Sequence, residues 1–194
     1  MTTTRLEAFS DGVIAILITI MILELKVPEG PGTWEQIQKV DLVHKLLLYV
    51  LSYVYLGIYW SNHHHMLHAT EHVNGKILWA NLHLLFWLSL VPFATAWMGS
   101  SGNAPIPTAT YGVILLCAGQ AYTMLQNAII KLEGRDSLLA TAVGRDKKGL
   151  ISRILYVAAI GAAFISPWIS DGLYVTVALM WLVPDRRIES TLHH

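Results

Sequence analysis

Ionisable and hydrogen-bonding side chains inside long apolar runs are where chemistry can be read in this sequence, because each is costly there unless paired. The first apolar run opens with Arg5, Ser10 and Asp11. The second closes on Trp60-Ser61-Asn62-His63-His64-His65, and the third carries Asn81 and His83 in its first two turns. Runs one and three enter from the side on which run two ends, so these groups share one shallow layer. At 1.5 Å per residue, Asp11 lies only about 9 Å along from Arg5. The economical way to satisfy them is a hydrogen-bonded network joining Ser10 and Asp11 to the histidine and asparagine side chains. Such a network can clamp the first helix to the second and third, or it can hold a metal or a proton. Histidines 63, 64, 65, 68 and 72 include two H-x-x-x-H pairs, a spacing that sets two imidazoles on one helix face. A membrane di-iron enzyme needs several such boxes. Beyond this cluster and the terminal pair only His44 and His83 remain, and no helix supplies a Glu-x-x-His site. The structural role is favoured, no metal ligands are assigned, and His65, His68 and His72 are read as facing the headgroups.

A second pattern runs along the same first helix. Gly12, Ile16, Thr19 and Leu23 fall at i, i+4, i+7 and i+11, a single stripe with Ile20 beside it. Such a stripe packs against a neighbour or faces lipid. Where several subunits turn it toward a common axis, it makes stacked rings of branched side chains. An aliphatic ring narrow enough to exclude water is a hydrophobic gate, to which Thr19 adds the only hydroxyl ring. Glu24, at the far end, either draws cations to a mouth or is an interfacial surface charge.

The elements that position these groups follow from composition. Of 194 residues, 54% are hydrophobic and 13% charged, about half the charged share of a soluble domain. A bilayer resolves that excess. A hydrocarbon core of about 30 Å asks for roughly 20 apolar residues per helix, and the chain offers six such segments. They run over about residues 5–25, 42–66, 76–98, 108–131, 150–169 and 172–183, and the last is short. Pro28-Glu29-Gly30-Pro31-Gly32 breaks the chain after the first, with Trp34 in a short interfacial stretch. A charged connector, residues 133–148, precedes the fifth. With six spans, Arg5, Lys76, Lys131, Arg135, Arg145, Lys147, Lys148, Arg153, Arg186 and Arg187 face one side, against Lys26, Lys39 and Lys45. That asymmetry places both termini in the cytoplasm. Trp34, Trp79, Trp97, Trp168 and Trp181 lie near span ends, as interfacial anchors do. The expectation is an all-α membrane protein with residues 1–190 as one six-helix transmembrane domain. Residues 191–194 are read as a tail of the kind an affinity tag leaves. No cleavable signal peptide is expected, since Asp11 interrupts the first run and no small-residue cleavage motif follows. Thirteen basic and thirteen acidic residues balance, so no field favours nucleic acid. The single cysteine, Cys117, excludes an intrachain disulfide and reads as a core or lipid-facing residue.

At Arg5-Leu6-Glu7-Ala8-Phe9-Ser10-Asp11-Gly12 the sequence resembles the transmembrane protein 175 family of potassium channels, whose R-x-x-x-F-S-D signature stands as Arg5, Phe9, Ser10 and Asp11. Trp60-Ser61-Asn62-His63-His64, Asn81 with Pro92-Phe93, and Pro184-Asp185-Arg186-Arg187-Ile188-Glu189 are also similar to that family; the fourth and fifth segments match only in hydropathy. The resemblance implies a homotetramer of six-span subunits, with the first helix lining a central pore. It also implies an aliphatic constriction a few residues after the signature. That position is Ile16, with Ile20 and Leu23 as further rings and Thr19 as the polar layer, the residues of the stripe. Ser10, Asp11, His63, His64 and Asn81, with Arg5, Phe9, Trp60 and Asn62 in the same layer, then form the clamp that holds the pore helix. Thr108-Ala109-Thr110-Tyr111-Gly112 is similar to the T-V-G-Y-G potassium filter but lacks its middle glycine. It also opens a helix, whose carbonyls are engaged in the ladder.

The sequence thus reads as a potassium-selective channel subunit of the cell membrane, multi-pass and not an enzyme. Its partners are lipid and further copies of itself, it needs no cofactor, and potassium is the permeant ion. A proton-coupled or proton-conducting carrier is the alternative, and a histidine-cluster metalloprotein a more distant one. Against the carrier, the polar residues group at one depth and form no chain across the bilayer.

Overall fold

The computed structural model describes residues 2–25, 27, 33–34, 41–134, 136–143 and 146–182, and all regular structure among them is helical. The first helix, α1 (Thr3–Ile20), tightens into one 3₁₀ turn, Met21–Glu24. It is followed by α2 (Leu42–His68), α3 (Gly75–Ser89), α4 (Val91–Ser100) and α5 (Pro105–Glu133). A short α6 (Leu138–Val143) sits in the charged connector, and α7 (Lys147–Ala162) and α8 (Pro167–Leu182) complete the bundle. The Pro28–Gly32 breaker, Lys26, Lys39, Arg135, Arg145, the Pro184–Glu189 motif and the 191–194 tail lie outside the described residues.

Local chemistry sets the boundaries. Asn74 caps α3 by accepting from the Ile77 amide at 3.0 Å, and Asp146 caps α7 by accepting from Gly149 at 2.8 Å. Pro105 starts α5 at a position where a missing amide costs nothing. Gly134, at φ 99°, ends it in a conformation that side chains rarely adopt.

Two prolines alter the outline expected from hydropathy. The third segment is a broken helix, because Pro92 lacks an amide and its ring opposes the Leu88 carbonyl; α3 therefore stops at Ser89 and α4 restarts at Val91. The fifth segment does not run on to residue 169. It ends at Ala162, and Pro167 opens α8 five residues before the expected start of the sixth.

Four stretches are long and apolar enough to cross a membrane: Thr3–Glu24, Leu42–His68, Gly75–Ser100 and Pro105–Glu133. With 16 residues each, α7 and α8 reach only about 24 Å at 1.5 Å per residue. They form an antiparallel hairpin. At its start α8 lies by His44 and Asn103, with the Trp168 ring 5.3 Å from His44 and Asp171 accepting from Asn103 at 2.7 Å. At its end, Trp181 donates to Ser152 at 2.8 Å and lies under the Lys148 ammonium.

The distribution of polarity is inverted relative to a water-soluble fold. Ser10, Ser52, His63, Asn81, Thr95, Thr108 and Ser170 are buried, while Ile16, Leu47, Phe93, Ile154, Ile165 and Leu179 are more than half exposed. Apolar exposure on this scale is the outside of a protein whose solvent is lipid. The apolar core joins Ile14, Leu17 and Met21 of α1 and its turn to Leu56 and Leu67 of α2, Leu84 and Leu88 of α3, and Leu115, Leu125 and Ile129 of α5.

A second polar interior, unforeseen from the sequence, runs from one end of the bundle to its middle. Thr108 donates to Asn103 Oδ1 at 3.0 Å, Tyr174 to the Thr108 carbonyl at 2.9 Å, and Tyr55 to the Tyr174 carbonyl at 2.7 Å. Ser52 bonds both Thr95 at 2.7 Å and Tyr111 at 2.9 Å. The buried polar groups therefore do not group at one depth as expected. Gly112 makes room for this arrangement, since a Cβ there would overlap the Tyr174 hydroxyl and crowd Ile160. Gly112→Ala should therefore cost about 1–3 kcal/mol by overpacking and lower the thermal midpoint of the detergent-solubilised protein, whereas Gly161→Ala, with open space around it, should not.

Candidate functional site

The first helix is the element on which the site is built, and it has two contrasting faces. Leu6, Ser10, Ile14, Leu17 and, in the following turn, Met21 are buried against the bundle. On the opposite side stand Phe9, Ile16, Ile20 and Leu23, exposed by 48%, 60%, 41% and 74%, with Gly12 and Thr19 also exposed. Among the described residues, none buries them. Arg5, Phe9, Gly12, Ile16 and Thr19 follow i, i+4, i+7, i+11 and i+14, so the bare stripe extends from Leu23 back through Phe9 to Arg5.

The Thr19 hydroxyl points its hydrogen at the carbonyls of Ala15 and Ile16, 3.0 and 2.9 Å away. Its oxygen lone pairs are left free on the exposed side.

The buried face is locked by a chain of hydrogen bonds across three helices. His63 Nε2 of α2 lies 2.7 Å from Asn81 Oδ1 of α3, Asn81 Nδ2 donates to Ser10 Oγ of α1 at 2.9 Å, and Ser10 donates to the Leu6 carbonyl at 2.9 Å. The Asn81 oxygen can only accept, so His63 Nε2 carries a proton. His63 Nδ1 is buried without a partner among the described residues. Ser10, His63 and Asn81 are all fully buried.

Asp11 enters the layer differently from the expectation that it would pair with histidine or asparagine: it accepts from Trp60 Nε1 at 3.1 Å. His64 meets a residue that sequence reasoning passed over, Glu7, with Nδ1 2.8 Å from Oε1. The i,i+4 spacing of Glu7 and Asp11 was the available signal, since both carboxylates must then face the same neighbour.

Three expected members lie elsewhere. Asn62 donates to its own helix at the Ile58 carbonyl, 2.8 Å away, while its carbonyl accepts from Tyr122. Arg5 and Phe9 are exposed on the bare stripe, because a 3.6-residue period turns positions 5 and 9 away from position 10. Glu24 is exposed on the 3₁₀ turn.

Tyr111 and Gly112, from the filter-like stretch, are buried inside α5. The tyrosine bonds Ser52, the glycine admits Tyr174, and neither is available to a passing ion.

Comparison with known proteins finds consistent relatives. The family model of the endosomal/lysosomal potassium channel TMEM175 matches residues 5–92. A potassium channel of Chryseobacterium sp. (strain P1-3) is 54% identical over 192 residues, 99% of this chain and 98% of that protein. A potassium channel of Chamaesiphon minutus is 30% identical over 193 residues, 91% of this chain and 92% of its own length. The crystal structure of a lysosomal potassium-selective channel TMEM175 homolog from Chamaesiphon minutus superimposes with a TM-score of 0.76 at 28% identity, covering 94% of this chain and 97% of that one.

The geometry ranks the members of the layer. Asn81→Ala strands both the His63 Nε2–H and one acceptor site on Ser10, at about 1–3 kcal/mol per buried unpaired group. Asp11→Ala leaves only the Trp60 indole unpaired. Thermal denaturation in detergent should therefore show a larger loss for Asn81→Ala than for Asp11→Ala.

Proposed function

The chain belongs to the TMEM175 family of potassium channels, and we propose that it is a channel subunit whose first helix lines a pore shared by four copies. The observation that carries this reading is the asymmetry of α1. One face is held by Ser10, Asn81, His63 and the apolar core, while the largely apolar stripe on the other face stays exposed among the described residues. Four copies turning that stripe to a common axis bury it and create a conduit in one step.

In that assembly Ile16, Ile20 and Leu23 make aliphatic rings, and the narrowest excludes water when the pore is shut. Thr19 adds a ring of hydroxyl oxygens with their hydrogens turned back to the helix, so that lone pairs face a cation. The Arg5 and Phe9 positions fall at the N-terminal end of the same line. The network of Ser10, Asn81 and His63 sets the rotation of the helix about its own axis, which decides which side chains reach the centre.

Six spans with both termini in the cytoplasm are the topology we favour, in the cell membrane. Ten basic residues against three support it, as does the hairpin of α7 and α8, whose α8 start lies beside the start of α2 and the loop before α5. Helices as short as these are accommodated by local thinning and by interfacial anchors, here Lys147 and Trp168.

Purified protein in planar bilayers should show currents that reverse near the potassium equilibrium potential under a potassium gradient, and a potassium–sodium bi-ionic gradient should shift the reversal toward potassium. Ile16→Asn should raise the current severalfold at the same protein density, because a polar ring no longer repels water. Unchanged conductance in a folded, oligomeric mutant would remove Ile16 as the gate.

A further inference from the structure

We propose that Glu7, Asp11 and His64 form a binding site for a borderline divalent metal ion of the zinc class, bridging α1 and α2 at the end of the bundle where α1 begins. One ligand atom from each residue lies within 4.8 Å of the others. Glu7 and Asp11 stand one helical turn apart on α1, so their carboxylates project to the same side. The third donor is an imidazole from a different helix, its Nδ1 2.8 Å from Glu7 Oε1. An ion there would join two elements that otherwise meet at this level through the Asp11–Trp60 and Glu7–His64 hydrogen bonds.

The chemistry of the donor set selects the ion. Imidazole nitrogen with two carboxylate oxygens suits zinc and its neighbours, whereas magnesium and calcium prefer oxygen alone. Zinc bonds of about 2.0–2.2 Å place tetrahedral ligand atoms roughly 3.4 Å apart. The Glu7–His64 pair is already closer than that, and His64, whose side chain is 44% exposed against 19% for Glu7, has room to swing. The three protein donors leave one position for water.

The surroundings resemble a supporting layer. Trp60 donates to Asp11 Oδ1 at 3.1 Å and so orients the carboxylate, as outer hydrogen bonds do around metal ligands. The His64 ring runs alongside Trp60 and His68 of its own helix, with centroids 6.3 and 6.0 Å away. Two carboxylates one turn apart with one imidazole make a half-buried donor set whose charge balance favours a divalent cation.

The test is calorimetric titration of the purified full-length chain with zinc chloride, compared with Glu7→Gln, His64→Gln and the control His72→Gln, which lies outside the trio. The expected result is one tight site in the wild type and in His72→Gln, weakened at least about tenfold in Glu7→Gln and in His64→Gln, and not displaced by millimolar magnesium. Zinc binding of equal affinity in Glu7→Gln, or a loss in His72→Gln as large, would overturn the proposal. A second measurement needs no variant. Saturating zinc should protect His64 of the wild type from carbethoxylation by diethyl pyrocarbonate, located by mass spectrometry, and unchanged modification of His64 would equally overturn it.

Discussion

A side chain that must hydrogen-bond has no water to turn to inside a bilayer, and the position of the first helix follows from that constraint. Asn81 uses both ends of its amide, one toward His63 on α2 and one toward Ser10 on α1. Because the amide is planar and short, the three helices have little freedom to rotate without breaking a bond that nothing else can replace. The rotation of α1 is thereby set, and with it the identity of the side chains left bare. The apolar stripe is the complement of the clamp: residues three and four apart on one face are buried with Ser10, and those on the other stay exposed among the described residues.

The second polar interior serves other helices. Ser52, Thr95 and Tyr111 tie α2, α4 and α5 together, and Tyr55, Tyr174 and Thr108 tie α2, α8 and α5. None of these bonds touches α1. Beyond Asp11 the first helix is held by Ile14, Leu17 and Met21 through packing among the described residues. Apolar contact between helices in lipid has no strong directional preference. The helix is therefore pinned by directional bonds at its N-terminal end and by apolar packing toward Glu24, a distribution that suits the gating role proposed for it.

The filter-like stretch shows why residue identity needs its structural setting. Tyr111 is a donor or acceptor for Ser52 deep in the core, and Gly112 is small because Tyr174 occupies the space beside it. Their carbonyls belong to an α-helix. In the assembly proposed above, selection among cations falls to the stripe of α1, with its aliphatic side chains and the Thr19 hydroxyl, and not to this stretch of α5.

Much of this was legible in the amino-acid sequence, and the boundary is physical. Composition and the length of apolar runs determined that the chain lives in lipid, and spacing on α1 marked Ile16, Thr19, Ile20 and Leu23 as one stripe, because helical period is a local property. The polar layer was also visible, since buried polar groups must find one another. Which atoms pair was not. Asp11 goes to Trp60, Glu7 to His64, Asn62 to its own backbone, and Arg5 and Phe9 stay with the bare stripe. These outcomes depend on how helices distant in sequence are turned toward each other, which only packing decides. The break at Pro92 and the early start of α8 at Pro167 were written in the residues but hidden beneath unbroken hydropathy. The tyrosine interior left no local trace at all, because a phenol counts as apolar in a sequence window and reveals its hydroxyl only when a partner helix arrives.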